Sequence, residues 1–176
     1  MPLRILLADD QQMIREALAM ILDLEVDLEV VKQVGRGDEV LPAVRETRPD
    51  VALLDIEMPG ATGIEAAAEL ARSGLTSQTG APVRSLILTT FRRPGYIRRA
   101  LEAGASGFVV KDGTASQLAQ AVRRTAAGLR VVDSVLAEEA KWQGSSPLTG
   151  RETEVLRAAE TAGSVKEIAG MLGLSS

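Results

Sequence analysis

Two residue types are missing from this chain altogether, cysteine and histidine. Without cysteine there is no disulfide, no thiol nucleophile and no Cys-ligated metal. Without histidine, Ser-His-Asp hydrolysis and His-ligated zinc are excluded within the chain. Any metal held here must be a hard cation on oxygen ligands. Aromatics are nearly absent as well: Trp142, Tyr96, Phe91 and Phe108 are the only ones. The core must therefore be aliphatic, and a hydrophobic content of 45% is enough to build one. No apolar run approaches the roughly 20 residues that a membrane span needs. The opening run reaches Asp9 too soon for a signal peptide. Positive charge is not in excess: the net charge is −4 and the pI near 5.0, which argues against a dominant nucleic-acid surface within these residues. The absences describe a soluble, cytoplasmic protein with no membrane contact.

What is present is an alternation. Short apolar runs at 3–8, 28–34, 51–54, 85–88 and 107–110 read as strands. Helical patterns at 12–22, 39–46, from Thr62 onward, 95–103 and 116–126 follow them in turn. The first helix places Ile14, Ala17, Leu18, Ile21 and Leu22 on one face; the third turns Ile64, Ala67, Ala68 and Ala71 inward; the fifth turns Leu118, Ala121, Val122 and Thr125 inward. Capping boxes support four helix starts: Thr62 with Glu65, Thr114 with Gln117, Thr149 with Glu152, and Ser164 with Glu167. Continuous apolar strands imply a parallel sheet covered on both faces. The expected fold is α/β, a five-stranded parallel sheet in the flavodoxin-like order. Residues 73–82 read as a mobile loop, 128–142 as room for a short strand and a helix, and 143–147 as a linker. Two short helical patterns follow, at 151–160 and 165–172, too few residues for a core of their own.

In a sheet of this kind functional residues gather at the carboxyl ends of the strands. Asp9 and Asp10 end the first strand, Asp55 the third, Thr89 the fourth and Lys111 the fifth. Singly each has a plain explanation: Asp10 could cap the first helix, Asp55 belong to a turn, Thr89 be an ordinary strand residue and Lys111 a solvated charge. Together they form a pattern. Three carboxylates at one edge repel one another unless a cation is present, and Mg²⁺, which takes one or two carboxylates and recruits phosphate oxygens, answers that need. A lysine and a hydroxyl beside it would complete a phosphoryl site.

The segments Leu6-Leu7-Ala8-Asp9-Asp10, Leu53-Leu54-Asp55-Ile56-Glu57-Met58-Pro59-Gly60, Leu88-Thr89-Thr90 and Val109-Val110-Lys111 resemble the signatures of a response regulator receiver domain, in their proper order. The stretches 146–156 and 165–175 resemble the start of a LuxR-type helix-turn-helix. Together they are similar to the NarL/FixJ family, and the runs 55–63 and 91–96 look especially like its DesR-type members. The resemblance implies a CheY-like receiver at 1–127, a linker at 128–147, and at 148–176 the N-terminal part of a DNA-binding domain. It implies Asp55 as phosphoacceptor, and Asp10, Asp55 and the backbone carbonyl of Glu57 as Mg²⁺ ligands, with Asp9 helping indirectly. Thr89 and Lys111 would bind the phosphoryl oxygens, and Phe108 would be the switch aromatic that turns inward when Thr89 moves. Receivers often carry proline directly after the lysine, commonly with a cis bond; here Asp112 follows, so the lysine loop needs none.

The implied partners are a sensor histidine kinase, a second copy of the chain on phosphorylation, and promoter DNA for the full-length protein. The chain stops at Ser176 in the turn before the recognition helix, and residues 148–176 carry four acidic against three basic side chains. DNA reading is therefore not expected of these residues alone. A transcriptional regulator, not an enzyme, is the expectation. A haloacid-dehalogenase-type phosphatase wants a second aspartate two residues after the first, where this chain has Glu57. A stand-alone receiver acting by protein contact would suit the end at Ser176, but not the half helix-turn-helix before it.

Overall fold

The chain's alternation closes into one parallel sheet in the computed structural model, which describes residues 1–90 and 94–132. The strands are β1 (Leu3–Ala8), β2 (Leu28–Val34), β3 (Val51–Asp55), β4 (Arg84–Thr89), β5 (Gly107–Val110) and β6 (Val131–Val132). The helices are α1 (Gln12–Asp23), α2 (Val40–Thr47), α3 (Gly63–Ser73), α4 (Pro94–Glu102) and α5 (Ala115–Ala126), with a 3₁₀ turn at Gly37–Glu39 before α2. The strand order is β2-β1-β3-β4-β5-β6, all parallel. This is the expected flavodoxin-like order with one strand added. The order reverses between β1 and β3, which opens a crevice at their carboxyl ends.

Period-two alternation sorts the strand residues into two layers. Leu6, Ala8, Ala52, Leu54, Ile87 and Phe108 join a cluster with Val44 of α2, Ala67 and Leu70 of α3 and Ala100 of α4. Ile5, Leu7, Val51, Leu53 and Leu86 join the other, with Ala19 and Leu22 of α1 and Leu118 and Val122 of α5. Phe108 is fully buried, and every other buried hydrophobic side chain among the described residues is non-aromatic.

Two of the four capping boxes form as expected, Thr62 with Glu65 and Thr114 with Gln117. The other two, the helix expected before Trp142, residues 133–147 of the expected linker, the helix-turn-helix stretches and Phe91 all lie outside the described residues, while 128–132 of that linker are described and include β6. Several expectations need correction. The short strand for which 128–142 has room forms at Val131–Val132 and pairs with β5, so the sheet has six strands where five were expected. Asp10 does not cap α1: the cap position is Gln11, which makes no side-chain cap bond, and Asp9 Oδ1 accepts the Gln11 N–H instead. On α1, Ala17 is exposed and Ala19 buried. The sheet-facing line runs through Arg15, Ala19 and Leu22, and the arginine in it disguised the phase. On α3, Ala71 is exposed while Leu70 is buried.

Residues 73–82 are held rather than loose. Arg48, left-handed at φ 48°, ends α2 and donates its guanidinium to the carbonyls of Thr76 and Ser77. The Gln78 N–H returns a bond to the Arg48 carbonyl, Thr76 bridges Pro82, and Ser77 is fully buried. The loop packs across the amino ends of the strands, away from the crevice. Among the described residues no peptide bond is cis, and no helix is long and apolar enough to cross a membrane.

One contact fixes how α3 meets the crevice. The Gly63 N–H donates to the Ile56 carbonyl at 2.9 Å, and a Cβ on Gly63 would lie 2.0 Å from the carbonyl oxygen of Asp55. Only glycine allows the helix to start there. Gly63→Ala is expected to destabilise the fold by about 1–3 kcal/mol through overpacking. Thr62→Ala, which removes the cap alone, is expected to cost about 1 kcal/mol. Urea denaturation measures both, and a Gly63→Ala chain as stable as wild type would contradict the close-approach account.

Candidate functional site

The carboxyl ends of β1, β3, β4 and β5 converge, and the sequence places a chemically active residue on each. β1 delivers Asp9, which is fully buried. Its turn is held twice: the Asp9 N–H donates to the Val34 carbonyl at 3.1 Å, and the Arg15 guanidinium donates to the Asp9 carbonyl. β3 delivers Asp55, 7% exposed, whose Oδ2 accepts the Glu57 N–H at 3.1 Å. β5 delivers Lys111 just past its last residue, tied by its N–H to the Thr89 carbonyl at 2.8 Å. Thr89 ends β4 and is buried.

The centre of the site is the Lys111 ammonium. Nζ lies 2.5 Å from Asp9 Oδ2 and 2.7 Å from Asp55 Oδ1, so one lysine joins carboxylates that are 46 residues apart in sequence. Burial pulls the ammonium toward neutrality, but its bonds to Asp55 and Asp9 outweigh that, and its pKa is raised. Asp55 is also raised, first by burial and then by the charge of Asp9, against the lowering effect of Lys111. The site thus holds a carboxylate that is costly to keep ionised and a cation that is held ionised.

Asp10 completes the acidic set. It is exposed, and one carboxylate oxygen from each of Asp9, Asp10 and Asp55 lies within 4.8 Å of the others. Three carboxylates against one ammonium leave an excess of negative charge on hard oxygen donors. That donor set suits a divalent, oxygen-seeking cation. Beside it a cleft of about 70 Å³, room for a few water-sized groups, is lined by Asp10, Asp55, Glu57, Thr89, Thr90 and Tyr96. Asp55 therefore presents its carboxylate to a small open space.

The structure brings together Asp9, Asp10, Asp55, Thr89 and Lys111 as the strand-end argument expects. Glu57 sits at the rim, exposed, with its N–H turned to Asp55. Phe108 lies below, fully buried, in register with Ile87 of β4. Three contributors escaped the sequence reading. Gln11 and Tyr96 line the cleft, and Arg15 braces the β1 turn. Tyr96 alone carried a signal, as one of four aromatics in the chain.

Comparison with known proteins agrees with this geometry. Residues 5–123 match the family described as the response regulator receiver domain. The transcriptional regulatory protein DesR of Bacillus subtilis is 42% identical over 172 residues, covering 98% of this chain and 82% of DesR. The transcriptional regulatory protein YvfU of the same organism is 42% identical over 173 residues, covering 98% of this chain and 83% of YvfU. Among solved structures, the signal receiver domain of the response regulator NarL from Mycobacterium tuberculosis superposes with a TM-score of 0.67 at 33% identity, covering 72% of this chain and 98% of that domain. These relatives are regulators, not enzymes. A parallel sheet with the receiver strand order, an acidic cluster bridged by a strand-end lysine, and relatives of this closeness lead to one conclusion: the chain belongs to the response regulator receiver family, among the NarL/LuxR-type transcriptional regulators of two-component systems.

Proposed function

We propose that Asp55 is the phosphoacceptor and that its phosphorylation by a sensor histidine kinase switches a cytoplasmic, DNA-binding regulator. The observation that carries this is the Lys111 ammonium held between Asp9 and Asp55, with Asp55 itself lining a small cleft. An Asp55 carboxylate oxygen attacks the phosphorus of a phosphohistidine; the P–N bond breaks, the imidazole leaves, and an acyl phosphate remains. Such a transfer needs charge neutralisation and alignment more than a general base. On phosphorylation the carboxylate charge of Asp55 is replaced by charge on the phosphoryl oxygens, so Lys111 follows the negative charge to one of them, and the Thr89 hydroxyl donates to another. Asp10, Asp55 and the Glu57 carbonyl would hold Mg²⁺, with Asp9 acting through a water or a hydrogen bond. A divalent cation there supplies charge neutralisation for the phosphoryl oxygens.

The output reading extends beyond the receiver at 1–127. Thr89 and Phe108 form the switch, the phosphorylated chain pairs with a second copy, and the segment from 148 belongs to a LuxR-type helix-turn-helix. The full-length protein would use that domain on promoter DNA.

An acyl-phosphate donor with Mg²⁺ is expected to add one phosphoryl group to wild type and none to Asp55→Asn, read by intact mass. Equal labelling of both would overturn the assignment, and chelation of the metal should suppress labelling.

The raised pKa of Asp55 has a consequence for stability. The native state binds the proton more tightly than the unfolded chain. The associated stability is present below the ordinary carboxylate pKa and is lost as pH rises through the raised native value. Asp55→Asn should therefore melt higher than wild type at neutral pH, with the gap closing in acid. A gap that widens in acid would contradict the charge balance described above.

Sedimentation at matched micromolar concentration should show tighter dimerisation of the phosphorylated chain. Identical mass distributions with and without the phosphodonor would remove dimerisation from the mechanism.

A further inference from the structure

The sheet does not end at β5. Past α5, Gly128 takes a left-handed conformation at φ 80° and its N–H closes onto the Thr125 carbonyl. The chain then runs back along β5, with Val131 opposite Gly107 and Val132 opposite Phe108. The Val131 N–H donates to the Ser106 carbonyl at 3.2 Å. Two residues make a weak strand by hydrogen bonding alone. What holds β6 is the destination of its side chains. Val131, 7% exposed, packs in the layer of α1 and α5, and Val132 packs in the opposite layer, the one that contains Phe108.

This approach depends on Gly107. A Cβ there would lie 2.5 Å from the Val131 carbonyl oxygen, 2.9 Å from the Val131 Cβ and 2.8 Å from Leu86 Cδ1. Glycine weakens a strand interior and commonly marks close approach of another backbone. Gly107 needs no positive φ here; its missing side chain makes room for β6 and the Leu86 methyl.

We infer that β6 is a coupling strand, whose pairing with β5 and the buried seat of Phe108 stabilise each other and tie the chain leaving the receiver to the phosphoryl site. Phe108 has Ile87 of β4 on one side in register and Val132 of β6 on the other. A ring that leaves its seat removes the wall beside Val132, and a strand that leaves β5 removes a wall of the ring. Coupling of this kind is reciprocal. The trigger rests on Asp55 being the phosphoacceptor. A phosphoryl group gripped by Thr89 at the end of β4 and by Lys111 at the end of β5 braces the β4–β5 pair, and so the edge on which β6 docks. The plainer role, a strand that only covers an exposed sheet edge, requires no response in either direction.

The test uses the full 176-residue chain. Val131→Pro removes the N–H that binds Ser106, and Gly107→Ala fills the gap under β6. In the unmodified chain, Val131→Pro should shift or broaden the NMR signals of the Phe108 ring. A folded Val131→Pro chain with unmoved Phe108 signals overturns the coupling. With an acyl-phosphate donor and Mg²⁺, amide exchange at Val131 should slow by about tenfold in wild type, and not in Gly107→Ala. If Gly107→Ala does not fold, wild type with and without the donor supplies this comparison by itself. Intact mass on the same sample separates the failures. A phosphorylated wild type with unchanged exchange overturns the coupling to the phosphoryl site. A wild type that gains no phosphoryl mass overturns the Asp55 assignment, and the Phe108 signals then decide the β6–Phe108 coupling independently.

Discussion

The Lys111 ammonium, held by Asp9 and Asp55, is the interaction on which the rest of the site depends. It joins the ends of three strands, β1, β3 and β5, through side chains that are all nearly out of solvent. A buried ion pair of this kind is weak evidence for stability, because desolvation offsets most of the attraction. Asp55 shows the cost directly, since burial raises its pKa in spite of the adjacent cation. The arrangement is better understood as chemistry than as glue. It keeps the Asp55 carboxylate beside a positive charge and at the edge of a small cleft.

Around that pair the backbone does the positioning. Gly63 lets α3 begin against the Asp55 carbonyl, and Thr62 with Glu65 fixes where it begins. At Gly37 a Cβ would lie 1.8 Å from the Ala61 carbonyl oxygen, so the turn before α2 and the loop after β3 also touch backbone to backbone. At the opposite end of the sheet, Asp50 accepts the Arg4 N–H on its side chain and the Arg84 N–H on its carbonyl, which aligns β1, β3 and β4 at their starts. Strands set at one end deliver their last residues together at the other. The loop that Arg48 holds belongs to this amino-terminal end, and it therefore lies far from the chemistry.

The two faces of the sheet are packed differently. The face under α2, α3 and α4 contains Phe108, in register with Ile87 of β4. The face under α1 and α5 is aliphatic throughout its buried cluster. With so few aromatics in the chain, one buried ring occupies a volume that aliphatic neighbours cannot refill by small rotations. Val132 of β6 lies beside that ring in register.

The sequence by itself determined the alternation of strand and helix, the residues that end each strand, and two helix caps in the described region. These are local facts: period two or 3.6, an apolar run of a given length, a threonine three residues before an acid or amide. Tertiary structure decided which distant residues meet. The strand-end pattern gathers Asp9, Asp55 and Lys111 at one edge of the sheet; that the one ammonium bonds both carboxylates is decided by how the strands pack. The phase of α1 was hidden because Arg15 packs its stem toward the sheet while its guanidinium reaches the Asp9 carbonyl. The loop at 73–82 reads as loose because its composition is polar, yet it is held by an arginine about 30 residues upstream. β6 shows no periodicity, since two valines define no period; it exists because β5 offers an edge and Gly107 leaves the room for it.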